Sequence, residues 1–438
     1  MQEFWATYGD AAKTAAGFFW KAGWAFVLGY AISAMIQAFI PKARLAPKLG
    51  SAKPSSVGLA TIFGMISSSC SFAALAAARS LVVKGAHFVA AVAFMFASTN
   101  LVIELGILIL IFLGWQFLAA EVVGGLILIA ISSMLIRLTY PKSWMEAARE
   151  KAEASAGASE QDDFDWKKRI NSKKGWRLVG HRFVMEWQMV WQEILIGFTV
   201  AGFIAAFVPD AFWKTIFLAE QAEQNPGSFL VALENAAIAP FVAAATFIGS
   251  MGNIPLATVL NSGGVLFAGI MGFIYSDLMV PPLVKINAKY YGWRIALYIA
   301  GIMYISIVAT ALILHYLFYF TGLTPESAKK VENVTQFAFD YTFFMNIGAV
   351  IVAGGLIWLH HRHKQSMKSD ENGKKGHDHN HADHEDSEQG HEEGEGGGHE
   401  HHDHGDSGAI GVQDVTTWIF IAILIGGGIA WFVTRQAS

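Results

Sequence analysis

The sequence predicts an all-α polytopic membrane protein made of two inverted repeats, each with a re-entrant broken hairpin, plus a C-terminal pair of spans. Three observations predict this fold. Of the 438 residues, 54% are hydrophobic and 15% are charged, whereas soluble domains carry about 25% charged residues. The hydrophobic residues form runs close to the ~20 residues that a bilayer-spanning helix needs. Two apolar segments are interrupted by short polar stretches that resemble each other.

The apolar runs define eight predicted spans. They cover residues 22–40, 88–112, 115–136, 190–208, 265–284, 295–320, 343–359 and 416–433. The first run is too long for the core of a signal peptide, so we expect it to be a retained span. The predicted organisation is a first repeat (1–137), a cytoplasmic basic loop (138–189), a second repeat (190–320), an outer loop with the first span of the C-terminal pair (321–359), a His-rich disordered cytoplasmic loop (360–412) and the last span (413–438).

The two interrupted segments look like copies of each other. The first reads SSSCSFAALA at 67–76 and the second reads GSMGNIPLA at 249–257, so that Cys70 aligns with Met251. The other matched pairs are Ser69 with Ser250, Leu75 with Leu256 and, after a slip of two residues, Gly85 with Gly264 and Phe94 with Phe273. Broken hydrophobic segments at corresponding positions of two halves indicate a transporter and mark its substrate site.

The basic residues indicate how these segments lie in the membrane, because Lys and Arg gather in cytoplasmic loops. They are concentrated at 42–53, 138–189, 285–294 and 360–375. If 57–78 crossed the membrane fully, the basic residues before and after it would lie on opposite sides. If 57–78 and 236–260 instead enter and return, every basic region is cytoplasmic. The first half then enters from outside and the second from inside, which gives inverted topology.

The hairpin tips are expected to meet near the midplane, because non-helical backbone at that depth must be surrounded by protein or line a cavity. A helix that restarts after a break points its N-terminal dipole at this cavity, which favours an anion or a polar neutral oxygen species. Soft sulfur ligands select soft ions, although Cys70 is also explained as a small buried hydrophobic residue. The predicted substrate-binding residues are Ser69, Cys70, Ser71, Asn100, Met251 and Asn253.

Two acidic residues inside apolar runs are candidates for proton coupling, because ionisable side chains within spans are costly and usually functional. Glu104 lies one helical turn from Asn100, and Asp277 lies within a predicted span of the second repeat. The alternative is that they satisfy backbone groups at helix breaks or lie nearer the membrane interface. Glu121 and Glu193 are closer to the ends of their spans and are predicted to be interfacial.

The segment 365–408 is rich in His, Glu, Asp and Gly and is predicted to be disordered. Neutral imidazoles beside carboxylates bind Zn, Ni, Co or Cu loosely, and a solvated linker explains the segment equally well. No cofactor is expected to be required. The candidate metal ligands are His377, His379, His381, His384, His399, His401, His402 and His404.

The sequence does not predict an enzyme. It contains no HExxH zinc helix, GxSxG elbow or Walker loop. The partners expected are the lipid bilayer and a small inorganic or organometalloid substrate, without nucleic acid. A homo-oligomer is left open.

The segments 67–100 (SSSCSFAALAAARSLVVKGAHFVAAVAFMFASTN) and 249–282 (GSMGNIPLATVLNSGGVLFAGIMGFIYSDLMVPP) resemble the two repeats of the permease family that includes ArsP and YraQ. The resemblance covers roughly 22–320. It implies an inner-membrane secondary transporter of a bacterium or archaeon, working by alternating access at a midplane site. The best-known members export trivalent organoarsenicals through cysteines around a CSC-like motif.

The resemblance makes efflux of a toxic metalloid or soft-metal species the first expectation. Only Cys70 matches the cysteine motif, with Ser68 or Ser69 where another thiol is expected, so a three-thiol site cannot form within one chain. The first alternative is a permease for a small anion or polar solute. The second is a membrane metal sensor or assembly subunit that works through the His-rich loop.

Overall fold

The computed structural model describes residues 2–39, 49–67, 71–139, 169–246, 248–325, 331–375 and 412–436. Within these ranges the regular structure consists of α-helices and short 3-10 segments, without a strand. Seven of the described helices are long and apolar enough to cross a membrane, or eight if one bent pair counts as a single span. The prediction of an all-α polytopic membrane protein is therefore confirmed.

The described helices are numbered here in chain order. They are α1 (Gln2–Phe39), α2 (Pro54–Ser67), α3 (Ser71–Val83), α4 (Phe88–Asn100), α5 (Ile103–Phe112), α6 (Trp115–Thr139), α7 (Lys173–Phe207), α8 (Asp210–Ile216), α9 (Ala219–Gln224), α10 (Phe229–Thr246), α11 (Ser250–Ser262), α12 (Phe267–Ile274), α13 (Pro281–Tyr291), α14 (Trp293–Thr321), α15 (Val331–Val334), α16 (Tyr341–Lys375) and α17 (Val412–Gln436). The 3-10 helix Asp277–Met279 lies between α12 and α13.

The two repeats contain the same series of elements. Helices α1 to α6 correspond to α7 and α10 to α14: a long helix, two hairpin arms, a helix in two pieces and a second long helix. The aligned glycines Gly85 and Gly264 both join the second hairpin arm to the next helix, with φ of 94° and 84°. Glycine adopts this left-handed backbone without strain. The repeat inferred from the sequence therefore corresponds to a repeat in the structure.

The equivalent helices α1 and α7 pack against each other in opposite directions. Near the start of α1, Ala11 and Ala15 lie against Gly202, which is near the end of α7. Near the other end of α1, Ser33 Oγ donates a hydrogen bond of 2.9 Å to Glu186 Oε1 in the first half of α7. Because equivalent helices run antiparallel, the two repeats are inverted.

Helices α6 and α14 form the other equivalent pair and are also antiparallel. Gly124 of α6 lies against Leu314 near the end of α14. At the opposite end of the pair, the Thr139 hydroxyl is 2.8 Å from the Tyr298 hydroxyl. The small residues where these helices meet let their backbones approach closely, as is usual between membrane helices.

Six of the eight predicted spans lie within single candidate membrane helices to within one residue, in α1, α6, α7, α14, α16 and α17. The prediction of one continuous span at 265–284 is wrong. Helix α12 ends at Ile274, and α13 begins at Pro281 after the 3-10 helix. Proline lacks a backbone N–H and favours the first turn of a helix, so the Pro281–Pro282 pair starts a new helix.

The equivalent stretch of the first repeat is also divided. Helices α4 and α5 are bent by 42° at the break between them. The first arm of the second hairpin, α10, begins at Phe229 and has 18 residues, enough to meet the criteria of length and composition for a span. Its counterpart α2 has 14 residues. The two hairpins therefore differ in the length of their first arms.

The predicted loops partly continue as helix. Helix α7 begins at Lys173, so the end of the segment 138–189 is helical and continuous with the following span. Helix α16 continues to Lys375, so the first residues of the segment 365–408 are helical. The residues from 365 to 372 include Gln, Met, Lys and Glu without Gly or Pro, and these are good helix formers. The remainder of the His-rich segment lies outside the described residues.

The C-terminal pair of helices packs against α1 and α7, one helix from each repeat. The Tyr8 hydroxyl of α1 donates a hydrogen bond of 2.6 Å to the Ile423 carbonyl oxygen of α17. Asn346 Nδ2 of α16 donates a hydrogen bond of 2.8 Å to the Trp20 carbonyl oxygen. Helices α16 and α17 are therefore attached to α1 by side-chain hydrogen bonds as well as by apolar contact.

An ion pair at the start of α16 predicts a pH-dependent contribution to stability. Lys21 Nζ donates a hydrogen bond of 2.6 Å to Asp340 Oδ2, and this bond lowers the pKa of Asp340 below its ordinary value of 3.8. A carboxyl group whose pKa is lower in the folded state than in the unfolded state stabilises the fold at pH values above the unfolded-state pKa. This stabilisation is lost as pH falls through the folded-state pKa. We expect Asp340→Asn to reduce Tm at neutral pH by ~2 °C.

The measurement is thermal unfolding in detergent at several pH values. The difference between the parent and Asp340→Asn should shrink as pH falls below 3.8, the ordinary aspartate pKa. Asp10→Asn, on the exposed surface of α1, is the control. A difference that is constant across the whole pH range would contradict the prediction.

Candidate functional site

The carboxyl group of Asp277 joins the two repeats. Asp277 begins the 3-10 helix between α12 and α13 and is fully buried. Ser71, the first residue of α3, donates a hydrogen bond of 3.1 Å from Oγ to Asp277 Oδ2. Ser250, the first residue of α11, also interacts with this carboxyl group through its side chain. The helices that follow both hairpin breaks therefore begin at one buried acidic residue.

Two more carboxyl groups interact electrostatically with Asp277. One belongs to Glu121 of α6, which is 1% exposed. The other belongs to Glu193 of α7. The Glu193 carboxylate lies against Gly249, directly before α11, where an added Cβ would be 2.6 Å from Oε2. Glu121 of α6 and Glu193 of α7 therefore each interact with Asp277, and the three carboxyl groups are named the carboxyl cluster below.

The interfacial depth predicted for Glu121 and Glu193 stays a prediction, and the structure shows what surrounds each side chain. Glu121 is buried inside the protein, and Glu193 lies beside the second hairpin break. One sequence signal was available for both. Each is followed four residues later by a glycine, Gly125 or Gly197, on the same helical face. Small residues mark faces where membrane helices approach closely, so an acid on that face is directed into protein.

The carboxyl cluster has no basic partner among the described side chains. The ion pair found in the described ranges is the one between Lys21 and Asp340. Like charges close together in a low-dielectric interior repel one another strongly. The described ranges also contain no group of three or more His, Cys, Asp or Glu side chains arranged to hold a metal ion. The arrangement is chemically suited to binding and releasing protons.

The first turn of α11 is held against α7 by a contact between glycines. An added Cβ on Gly197 would be 2.5 Å from the Cα of Gly252. Asn253 follows directly and is fully buried, and neither its Nδ2 nor its Oδ1 has a hydrogen-bond partner among the described residues. Asn253 is one helical turn from Ser250, so both lie on the same face. The Asn253 side-chain amide can therefore form hydrogen bonds on the same helix face from which Ser250 contacts Asp277.

The other predicted site residues lie at different places. Met251 is 9% exposed in the first turn of α11. Asn100 ends α4, where its Nδ2 donates a hydrogen bond of 3.3 Å to the Phe96 carbonyl oxygen. Glu104 is buried in the first turn of α5, and its side chain packs against Gly29 of α1. Ser69 and Cys70 lie outside the described residues, as do the eight predicted metal ligands from His377 to His404.

Comparison with known proteins agrees with this architecture. The model of the ArsP_1 family, described as a predicted permease, matches residues 8–316. This range includes both repeats from α1 into α14. The chain is also 39% identical over 320 residues to the "Putative permease Rv2963" of Mycobacterium tuberculosis, and the match covers 70% of this chain and 77% of that protein. No solved structure gives a significant match. This chain therefore belongs to the ArsP_1 family of membrane permeases.

Proposed function

We propose that this permease is a secondary transporter that exports a toxic metalloid or soft-metal species in exchange for protons across the plasma membrane of a bacterium or archaeon. The observation that carries the proposal is the hydrogen bond between Ser71 and Asp277. It joins the beginning of a helix after one hairpin break to a buried acid of the other repeat. A transported solute and a coupling proton would share this place.

The inverted repeats support alternating access. In transporters of this type, the two repeats exchange conformations around a site near the midplane. The Ser71–Asp277 hydrogen bond links α3 of the first repeat to the α12–α13 break of the second. Relative movement of the repeats would break this bond. Protonation of the carboxyl group changes its hydrogen bonding, so proton binding and movement would be coupled there.

The carboxyl cluster supports protons as the coupling ions. Asp277, Glu121 and Glu193 interact without a described basic partner, and acidic residues in such positions commonly form proton pathways in transporters. Glu104, the other coupling residue predicted from the sequence, packs against α1. Glu104 remains a candidate for proton transfer at a place separate from Asp277.

The choice of substrate depends on Cys70 and Met251. Cys70 directly precedes Ser71 in the sequence and aligns with the buried Met251 of the second repeat. A thiol and a thioether favour soft centres. A trivalent metalloid with hydroxyl groups would combine a soft atom for Cys70 with hydrogen-bonding groups for Ser71 and Asp277. The carboxyl cluster opposes the alternative of a small anion, while a neutral polar solute stays the second candidate.

The test is efflux and resistance in a host that is sensitive to metalloids. Expression of the parent should increase tolerance to a methylated trivalent arsenical or to antimonite, and Cys70→Ser and Cys70→Ala should both lose most of that increase. The metalloid proposal is rejected if tolerance to arsenicals, antimonite, copper and zinc is unchanged by the parent.

A second arm separates transport from metal sensing. Deletion of 376–408 removes the His-rich segment and leaves the described part of α16 complete. A transporter should keep most of its flux after this deletion. If the deletion abolishes the response, the His-rich segment is the working part and the sensor interpretation replaces the transporter.

A further inference from the structure

Three imidazole rings meet where α7 and α16 touch. Gly180 of α7 lies so close to α16 that an added Cβ would be 2.6 Å from Leu359 Cβ and 2.8 Å from the His360 nitrogen. The next residue, His181, places its Nδ1 3.2 Å from Nδ1 of His360. Its ring also stacks on His363 with a centroid distance of 4.9 Å. Helices α7 and α16 are therefore joined at a polar, half-buried place outside the carboxyl cluster.

Four basic side chains surround these imidazoles. Arg182 and Lys364 interact electrostatically with His181. Lys174 and Arg177 interact in the same way with His363. None of these four cations forms an ion pair with an acidic side chain in the part of the chain that the structure describes. The three histidines and these four cations are named the basic cleft here. The four cations concentrate positive charge there, and an anion would balance it.

The basic cleft lies at the level expected for lipid headgroups. Trp176 and Trp358 flank it and are 43% and 57% exposed, and tryptophan is enriched where the bilayer meets water. The Arg362 guanidinium lies 5.2 Å from the centre of the Trp358 ring. Apolar residues of α16 precede this level, and the distribution of basic residues puts it on the cytoplasmic side.

We propose that the basic cleft binds the phosphate headgroup of an anionic phospholipid, such as phosphatidylglycerol or cardiolipin. Basic pockets between membrane helices on the cytoplasmic side suit such headgroups. Arginine forks recognise phosphate oxygens in pairs, and Arg177 and Arg182 supply two of them. The imidazole N–H groups of His181 and His363 supply further donors. The acyl chains would lie along the exposed apolar surface of α16 below the cleft.

A lipid bound here would hold α7 against α16. Helix α7 also carries Glu193 and Gly197, which contact the start of α11. The lipid would therefore stabilise the helix against which the second hairpin packs. This inference does not depend on the identity of the transported substrate.

The test is thermal unfolding of the full-length protein in a neutral detergent with added lipid. Phosphatidylglycerol should raise Tm by about 2 °C or more relative to phosphatidylcholine, because a ligand that binds the folded state stabilises it. The double variant Arg182→Gln/Lys364→Gln should lose at least half of that shift. Lys285→Gln/Lys289→Gln, which removes two exposed cations from the predicted cytoplasmic surface of α13, should keep it.

Further measurements distinguish a lipid from free phosphate and show whether a variant fails only because it misfolds. Arg182→Lys should retain a larger part of the lipid shift than Arg182→Gln, because the charge is kept. If inorganic phosphate at the same concentration reproduces the full shift, the ligand is free phosphate and the lipid proposal is overturned. Equal shifts with phosphatidylcholine, or equal loss in both double variants, would also overturn it.

Discussion

Substitution of Asp277 by Asn is expected to reduce proton-driven efflux by about 100-fold or more, the scale of losing a positioned proton carrier. An asparagine at this position keeps an oxygen that can accept the hydrogen bond from Ser71, so the packing between the repeats should be preserved. It cannot bind or release a proton, however. Flux is measured in proteoliposomes with an imposed pH gradient and with a trivalent metalloid as substrate.

Two comparisons make this result specific to coupling. Asp210→Asn changes an exposed carboxylate at the start of α8 and should leave the flux unchanged. Substrate exchange without a pH gradient should continue in Asp277→Asn if only the proton step is lost. Parental rates of proton-driven efflux in Asp277→Asn would show that this carboxyl group is not the coupling site.

Substitution of Gly252 by Ala is expected to lower the stability of the protein by ~1–3 kcal/mol and to impair transport. An added Cβ on Gly252 would be 3.1 Å from the Cα of Gly197 and 3.2 Å from the carbonyl oxygen of Glu193. It would also overlap the side chain of Ile248. Helices α7 and α11 would have to separate, and both backbone contacts lie beside the carboxyl cluster. Thermal unfolding and flux are measured on the same preparation.

Gly301→Ala is the matched control for this substitution. Gly301 also lies inside a helix, α14, and an added Cβ would meet nothing within 4 Å. Because alanine has the higher helix propensity, Gly301→Ala should be neutral or stabilising by up to about 1 kcal/mol. Similar stability losses in the two variants would mean that helix contact at Gly252 does not explain the effect.

Several parts of the fold follow directly from local sequence. Six of the predicted runs lie within single candidate membrane helices, because transfer of ~20 apolar residues into a bilayer depends mainly on composition. Gly85 and Gly264, which match in the sequence repeat, lie in equivalent links of the structure, where a left-handed backbone strongly favours glycine. The inverted orientation followed from the positions of basic residues, and the antiparallel contacts of α1 with α7 agree with it.

The candidate site was only partly predictable. An acid inside an apolar run is costly, so the sequence predicts a functional role for Asp277, but it does not predict that Ser71 is its partner. The two residues are 206 positions apart, and no local pattern connects them. Hydropathy predicts one continuous span at 265–284, because hydropathy alone does not show where an apolar run is divided into separate helices. The Pro281–Pro282 pair was the available signal.

The sequence by itself therefore determined the membrane-spanning class, the repeat and the two interrupted segments, because hydrophobicity and glycine geometry are local properties. Only the tertiary structure decided which polar groups meet. Glu121 and Glu193 lie near the ends of apolar runs, and their role depends on the helices that pack over them. Burial of a carboxyl group is a property of the surrounding packing, so the carboxyl cluster between the interrupted segments became visible only once the two repeats were brought together.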